Sequence, residues 1–226
     1  MDYQMHHLLT SLPLLQGIGA TDVAQILDSG GYRLSTLEEG ECTIRQGDTC
    51  QQLSLLTDGT LLAETHSTDG CYSYTEDLVA PWAIEPDVLY GIQRQYGHTY
   101  VAKTTCSLLT IAKNDVNCMM RDIEVFRFNF LNQLSTLAIR RQYAIYPMRG
   151  TTLHTRLARF FCSHSLQSAG HMHFEIRISD IAGYLGISRM VVSAALHEMV
   201  DQGLLHLGRG TIDIPSIEQL ITHATI

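Results

Sequence analysis

The sequence lacks an apolar run long enough to cross a bilayer, and its amino terminus lacks the features of a secretion signal. No stretch of the 226 residues reaches the roughly 18–20 apolar residues that a membrane-spanning helix needs. The first residues, MDYQMHHLL, contain neither a basic region nor a long apolar core. We therefore expect a cytoplasmic protein that does not associate with a membrane.

The cysteines are too scattered for a metal site or a disulfide framework. The six cysteines stand at positions 42, 50, 71, 106, 118 and 162, without the close pairs that bind zinc. Such usage is typical of reduced thiols in an intracellular protein. We therefore predict no metal site.

An excess of basic residues is also missing, since the formal net charge is −8, whereas a nucleic-acid-binding protein is expected to be basic. The acidic excess lies in one part of the chain. Residues 147–226 carry six arginines and six acidic residues, and residues 1–146 carry nine basic and seventeen acidic residues. The carboxyl-terminal part is therefore neutral, and its charge does not exclude contact with a polyanion.

Residues 179–197, SDIAGYLGISRMVVSAALH, have the spacing of a helix-turn-helix. Ser179 and Ser188 are placed to cap the two helices. Apolar residues at helical spacing would pack the helices together, and a glycine between them would permit a tight turn with positive φ. These positions are Ile181, Ala182, Leu185, Gly186, Val192 and Ala195. The second helix of such a pair enters a major groove, so the segment predicts DNA reading.

The residues around this segment complete a winged domain. Gly203 ends the second helix, and the short apolar segments LLHL and TIDI flank Gly208-Arg209-Gly210, which predicts a hairpin with a basic tip. Arg209 would be placed to contact a DNA phosphate; the alternative is an exposed hairpin arginine without a role. Upstream, HFEIRIS alternates like a strand, and a core-facing helix is predicted before it. We therefore predict a winged helix-turn-helix over residues 151–214, closed by a short helix at 216–221.

The first half of the chain has a different pattern. Two short helices are followed by strand-like segments separated by turn signals every 8–12 residues, the pattern of an antiparallel sandwich or barrel. The clearest strand-like segments are GYRLSTL, CTIRQ, QLSLLT, TLLAET, HTYVAKT and CSLLTIAK.

A long helix is predicted next, from Asn114 as a candidate cap to about Tyr143. Apolar residues recur at seven-residue spacing along it, as in a helix that pairs with a second helix. The helix could instead lie buried against the barrel. We favour a seam between two copies of the chain, because the spacing holds for three repeats. The seam residues would be Val116, Met119, Ile123, Phe126, Phe130, Leu134 and Leu137.

The predicted fold class is α+β, in three parts. Residues 1–114 form an antiparallel β-barrel that senses an effector, residues 115–146 the dimerisation helix and hinge, and residues 147–226 the winged helix-turn-helix. Met148, Arg149 and Gly150 would lie at the hinge. A homodimer suits this arrangement, because two reading helices then meet two half-sites one helical turn apart.

This order of parts resembles the Crp–Fnr family of bacterial transcription regulators. The resemblance is strongest at IAGYLGISRMVVSAALHEMVDQGLL, and in the barrel at LLQGI, EEGECTIRQGD and LTDGTL. It implies a jelly-roll barrel like those that bind cyclic nucleotides, and a homodimer that binds palindromic promoter DNA and recruits or blocks RNA polymerase. It also implies that a small-molecule or gas effector in the barrel repositions the reading helices, which is a two-state switch.

The barrel departs from the pattern of the members that bind cyclic nucleotides. Those members carry a Gly-Glu pair for the ribose and an arginine for the cyclic phosphate. With HTYVAKT as the register, Gly91 is kept, but Ile92 replaces the glutamate and Tyr96 the arginine. Arg94 lies two residues away, on the wrong face of an extended segment. A buried phosphate would lack its charge-assisted partner, so these four pocket candidates argue against cAMP and cGMP.

Two other cofactors are weighed in the same way. Iron–sulfur members carry clustered cysteines near the amino terminus, whereas the first cysteine here is Cys42, which argues against a cluster. Haem stays open, because histidines and methionines offer axial ligands, although no spacing selects one. The histidines concerned are His6, His7, His66 and His98. The effector is therefore left unidentified.

The recognition helix also departs from the family. The family pattern places an acid directly after the first arginine and a second arginine four residues beyond that acid. The chain keeps Arg189 but has Met190 and Ala194 at those two places. Arg189 and Ser193 can bond to base edges or phosphates, while Met190 and Ala194 offer only apolar contact, for instance to a thymine methyl. His197 lies at the exposed far end of the helix.

Two alternatives differ in class from a DNA-binding regulator. An enzyme is disfavoured, because Cys162, Ser163 and His164 are neighbours that do not face one another on a helix, and no orienting acid is evident. The other alternative is a ligand- or partner-binding module whose helix-turn-helix no longer reads DNA. Salt dependence separates it from a regulator, since phosphate contacts weaken as ionic strength rises.

Overall fold

The computed structural model describes residues 9–67, 69–145, 152–167 and 169–224. Its strands are β1 (Tyr32–Leu37), β2 (Cys42–Ile44), β3 (Gln52–Asp58), β4 (Thr60–His66), β5 (Ser73–Val79), β6 (Trp82–Ile84), β7 (Thr99–Ala102), β8 (Cys106–Ala112), β9 (Met172–Glu175), β10 (His206–Leu207) and β11 (Thr211–Ile214). Its α-helices are α1 (Ala20–Ser29), α2 (Lys113–Asp122), α3 (Glu124–Ile145), α4 (Leu153–His164), α5 (Ile178–Leu185), α6 (Arg189–Asp201) and α7 (Ile217–Ala224). Within these ranges no helix has the length and apolar character of a membrane span.

The chain folds as two compact units. The first unit consists of Met1–Leu62 and Leu78–Ala138, and the second of Ala63–Asp77 and Ile139–Ile226. This division differs from the predicted one. The first unit continues past residue 114 into α3, and residues 63–77 belong with the carboxyl-terminal residues. The predicted hinge at Met148–Gly150 lies outside the described residues.

The first unit is built from antiparallel strands. One sheet has the order β1-β8-β3-β6, and β2 pairs with β7 in another. The central strands β3 and β8 carry fully buried leucines, such as Leu55 and Leu109. All six predicted strands are present, whereas β5 and β6 were not among the predicted segments. The described strands form two sheets rather than one closed barrel, which is the jelly-roll form of the predicted fold.

The predicted long helix is two helices, and the prediction of one continuous helix is wrong. Ile123 separates α2 from α3 with extended backbone angles (φ −114°, ψ 102°), and its side chain is buried. The Arg127 guanidinium donates to the carbonyl oxygens of Met120 (3.1 Å) and Arg121 (3.3 Å). These bonds satisfy carbonyl groups that the end of α2 leaves without intrahelical partners. Asn114 does not cap α2, because the cap position is Ala112.

The second unit has its own hydrophobic core. The predicted helix before the strand is present as α4, which buries Leu157, Phe160 and Phe161. Phe161 meets Phe174 of β9 edge to face, with ring centroids 5.1 Å apart. Ile217 and Leu220 bury the apolar face of α7 in the same core. The predicted winged helix-turn-helix therefore has a core of its own.

The tip of the β4–β5 hairpin (residues 63–77) adds a strand to this unit. Ser73–Glu76 pairs antiparallel with Met172–Glu175, so that β9 lies between β5 and β11. The buried Glu76 carboxylate accepts hydrogen bonds from Ser165 Oγ (2.8 Å), Leu166 N (2.6 Å) and Gln167 N (2.9 Å). The hairpin tip thereby provides the hydrogen-bond acceptor for two amides and one hydroxyl in the loop that follows α4. The sequence analysis did not predict this contact.

Candidate nucleic-acid interface

A tight turn joins α5 to α6, as the sequence predicts. Gly186 ends α5 in the left-handed conformation (φ 64°), where a side chain is strained. The Ile187 amide donates to the Ala182 carbonyl (3.0 Å), which closes the turn. Ile181 and Val192 are fully buried where the two helices meet. The predicted helix-turn-helix is therefore present.

The two predicted caps have different outcomes. Ser188 occupies the cap position of α6 with extended backbone angles, although its hydroxyl makes no capping bond. Ser179 lies inside α5, whose cap position is Arg177, so its prediction as a cap is wrong. The Ser179 hydroxyl donates instead to Asp180 Oδ1 (3.3 Å), and Ser179 is exposed.

The helix α6 has one buried and one exposed face. The buried face consists of Val192, Ala195, Leu196 and Met199. On the other side, Arg189, Met190, Ala194 and His197 are exposed and Ser193 is half-buried. The His197 ring is fixed along the helix, because its Nδ1 bonds to the Ser193 carbonyl oxygen (2.7 Å). The predicted reading residues therefore share the outward face of one helix.

Arg156 of α4 fixes the start of the tight turn. Its Nη2 donates to the Leu185 carbonyl oxygen at the end of α5 (2.5 Å). A charged donor satisfies one of the orphan carbonyl groups that a helix leaves at its carboxyl end. The sequence analysis missed this residue, since its partner lies 29 positions away and a helical arginine looks like any surface cation.

The predicted wing is present. Strands β10 and β11 pair antiparallel, and the Gly208 amide donates to the Thr211 carbonyl (2.9 Å) across the tip. Gly210 has φ 81°, which a side chain would strain, and Arg209 between the two glycines is exposed. Arg209 is therefore displayed on a short, well-bonded hairpin.

Two histidines share one carboxylate beside the wing. Asp213 Oδ1 is 2.7 Å from His171 Nε2 and 3.4 Å from His173 Nδ1. Partial burial raises the pKa of Asp213, but the hydrogen bonds and charges of the two histidines outweigh it, and the pKa is lowered overall. Asp213 therefore stays ionised, and its negative charge lies against the two histidine rings.

The four candidate pocket residues in the first unit do not come together. Ile92 is fully exposed (104%), and Gly91 and Arg94 are exposed as well. Tyr96 is buried, and its hydroxyl donates to the Gln52 carbonyl (3.4 Å). A pocket lined jointly by these side chains is thus not formed, because the segment 91–95 runs on the surface.

The acid buried in this part of the first unit is Glu85, which the sequence analysis did not single out. Its carboxylate accepts hydrogen bonds from Gly97 N, His98 Nδ1 and Tyr100 Oη, each at 2.8 Å. Its φ of 35° is uncommon for a residue with a side chain. Burial raises the pKa of Glu85, but the bonds and charge of His98 and the other donors outweigh it, so the pKa is lowered overall. The signal in the sequence is an acid that directly follows an apolar strand.

The predicted dimer seam is largely internal. Val116, Met119, Ile123, Phe126 and Phe130 are buried within the first unit, so they cannot form a free surface between two chains. Their seven-residue spacing comes from packing inside one chain, which was the alternative interpretation. Leu134 and Leu137 are half-buried. The exposed apolar residues of α3 in the first unit are instead Val125, Phe128 and Leu131.

The Ser163 hydroxyl lies 3.1 Å from His164 Nδ1, so the prediction that these neighbours do not face one another is wrong for this pair. The Ser163 hydroxyl also donates to the Phe160 carbonyl oxygen (2.7 Å), a bond within its own helix. Burial raises the pKa of the Cys162 thiol to about 12, so the thiolate that would be reactive is suppressed. His164 Nδ1 lies 2.6 Å from the Phe160 carbonyl oxygen, and its Nε2 lies 2.9 Å from the Tyr72 hydroxyl. Burial also lowers the pKa of His164. Cys162 and His164 are half-buried in the second unit, whereas Ser163 is exposed.

Comparison with known proteins agrees with the geometry of the second unit. Residues 155–222 match the model of the Crp-like helix-turn-helix domain. The chain carries a Crp-like helix-turn-helix domain. The matched residues contain the tight turn, α6 and the wing, so the family resemblance is confirmed for the helix-turn-helix.

Proteins similar to this chain include transcriptional regulators. It is 25% identical over 203 residues to the cyclic AMP receptor protein of Thermus thermophilus, covering 89% of this chain and 92% of the relative. The sensor domain of the transcriptional regulator DNR from Pseudomonas aeruginosa matches 66% of this chain and 99% of its own length, with 18% identity and a TM-score of 0.53. The catabolite activator protein of Thermus thermophilus matches 94% of this chain and 98% of its own, with 21% identity and a TM-score of 0.46. The DNR comparison supports the jelly-roll fold.

Proposed function

We propose that this regulator binds promoter DNA in a sequence-specific way, with α6 in the major groove. The observation that carries the proposal is the outward face of α6, where Arg189, Ser193 and His197 recur every four residues directly after the tight turn. Side chains four apart lie on one side of a helix. A row of donors on one side of α6 matches the line of base edges in a groove.

Arg189 is the central residue of this proposal. It is exposed in the first turn of α6, the part of a recognition helix that reaches base edges. Its guanidinium has the donor geometry for the two acceptors of a guanine or for a phosphate. Arg209 on the wing supplies a second cation for the DNA backbone, which positions the protein without reading sequence.

Replacement of Arg189 by alanine tests the proposal. If Arg189 contacts a base, Arg189→Ala should weaken binding to the selected operator by about 1–3 kcal/mol and relax the preference at one base pair. The control is Arg33→Ala, which removes an exposed arginine from β1 of the first unit. Affinity is measured by electrophoretic mobility shift at several salt concentrations, because phosphate contacts must weaken with salt. Equal affinities for wild type and Arg189→Ala would contradict the role of Arg189.

We also propose that the regulator is a homodimer. The supporting observation is the exposed apolar face of α3, where Phe128 is 53% and Leu131 46% exposed, with Val125 beside them. Large apolar side chains exposed in one row are unusual on a helix unless the row meets a partner. The dimer would then present two α6 helices to two half-sites, act in the cytoplasm, and recruit or block RNA polymerase.

The effector proposed for the first unit is not a cyclic nucleotide. The name of the Thermus relative raises cyclic AMP, but the residues of this chain do not fit it. The Glu85 carboxylate is already bonded to three donors, the buried Tyr96 carries no charge, and Arg94 is exposed. No guanidinium at these positions faces a buried phosphate. A rise in operator affinity on adding cyclic AMP would contradict this part of the proposal.

A further inference from the structure

The outward face of α6 carries an apolar patch beside its polar row. The patch consists of Met190, Val191 and Ala194. Met190 is 84% exposed and Val191 51% exposed, and Ala194 is exposed too. Ala194 is four residues from Met190 and three from Val191, so it lies beside both on the helix. The three side chains therefore form one continuous surface. The patch lies in the first two turns of α6.

The patch is not a part of the domain core that happens to reach the surface. The core side of α6 is filled by four other residues, Val192, Ala195, Leu196 and Met199, each less than a tenth exposed. Met190 and Val191 are thus apolar side chains on a face that serves no internal packing. An exposed apolar surface of this kind is characteristic of a contact site.

The chemistry of the major groove specifies what such a patch can contact. Base edges there present hydrogen-bond donors and acceptors, and the apolar group among them is the C5-methyl of thymine. The patch has no hydrogen-bond donors or acceptors. Contact with any other base edge would remove water from polar atoms of that edge without replacing their hydrogen bonds. Apolar residues on a reading helix therefore select against the other bases as well as for thymine.

We propose that the apolar patch of α6 reads thymine methyl groups, so that each half-site carries T·A pairs beside the base pair that Arg189 contacts. The inference rests on the proposed function, since it requires α6 to lie in the major groove. Duplex DNA is favoured over an apolar protein partner because the patch adjoins the exposed Arg189, and the exposed Arg209 lies in the same unit. Exposed cations in the same unit suit a polyanion.

Deoxyuridine substitution tests this inference directly. Deoxyuridine keeps every hydrogen-bonding group of thymidine and lacks only the methyl. An operator is first selected from random duplexes with the full-length protein, and each thymine of one half-site is then replaced singly. At one or two positions we expect the Kd to rise about fourfold, the effect of one buried methyl-sized group. Met190→Ala and Val191→Ala should each bind more weakly and lose the response to one of these replacements.

Two matched variants distinguish recognition of thymine methyl groups from a general weakening of operator binding. Arg189→Ala should lower affinity yet keep the fourfold response to deoxyuridine, because the patch is intact. Ile221→Ala shortens an exposed apolar residue of α7 and should leave both affinity and response unchanged. Affinity that is unaffected by every single replacement, or a response that persists undiminished in Met190→Ala and Val191→Ala, would overturn the inference while operator binding stands. Failure to select any operator would overturn the proposed function itself.

Discussion

Glu85 is a residue whose ionisation should be visible in the stability of the first unit. Its carboxylate is buried and bonded to Gly97, His98 and Tyr100, and its pKa is lowered from the ordinary 4.5. A group whose pKa is lower in the folded state stabilises that state above its unfolded pKa. This stability is lost as the pH falls through the lowered value.

We therefore predict that Glu85→Gln destabilises the protein at neutral pH, and that the difference from wild type shrinks as the pH falls below 4.5. The free energy of unfolding is measured by urea titration at a series of pH values. Glu39→Gln, which neutralises an exposed glutamate, serves as the control and should differ little from wild type at any pH. A deficit of Glu85→Gln that is constant with pH would show that the carboxylate charge does not matter.

Residues whose partners are close in the sequence were predicted, and those with distant partners were not. Gly186 and Val192 follow from a short pattern, because the turn and the helix contact involve residues a few positions apart. Glu76 bonds to residues 89–91 positions away. A carboxylate in a strand looks like any surface acid until the fold brings donors to it. The burial of a single polar residue therefore cannot be predicted from a short sequence pattern.

Among the secondary-structure elements, the β4–β5 hairpin offers the clearest test of stability. Its residues 63–77 supply a strand beside β9, and Tyr74 stacks on Phe174 with ring centroids 5.4 Å apart. Glu76 holds two backbone amides and one hydroxyl of the loop after α4. Glutamine at this position would turn an NH2 group toward donors and leave one of them unsatisfied. We expect Glu76→Gln to lower the free energy of unfolding by about 1–3 kcal/mol.

Glu175→Gln is the matched control for this change. Glu175 lies on the neighbouring strand β9, is exposed, and accepts one hydrogen bond from Ser73 Oγ (3.3 Å). Its replacement should alter the free energy of unfolding by less than about 0.5 kcal/mol. Both variants are compared with wild type in the same denaturant titration. Equal effects of the two replacements would mean that the buried carboxylate of Glu76 contributes nothing particular.

The break between α2 and α3 shows where periodicity fails as a predictor of elements. The apolar stripe continues through Ile123, because that residue is buried on the same side as Met119 and Phe126. One extended residue interrupts the helix without changing which residues are apolar. Arg127 donates hydrogen bonds to the carbonyl groups that the break leaves without helical partners. In the sequence this arginine looks like any surface cation. The strands and the helix-turn-helix were predictable because turn residues mark their ends.

At the scale of the whole molecule, the account requires two copies of the chain on one operator. The family resemblance predicted a dimer, but seven-residue spacing pointed to residues that the first unit buries. The same spacing arises for a helix packed on sheets and for a helix packed on its symmetry mate. Only the fold separates these cases, by leaving Val125, Phe128 and Leu131 exposed.

The mass of the protein, free and bound to its operator, tests this central claim most directly. One chain has a mass of 25.3 kDa, and light scattering should give two chains for the free wild type and two chains per operator duplex. Phe128→Glu should give one chain and bind the operator weakly, because a buried charge opposes the contact. Leu34→Glu, at a 44% exposed residue of β1, should remain a dimer. One chain per operator duplex for the wild type would contradict the account.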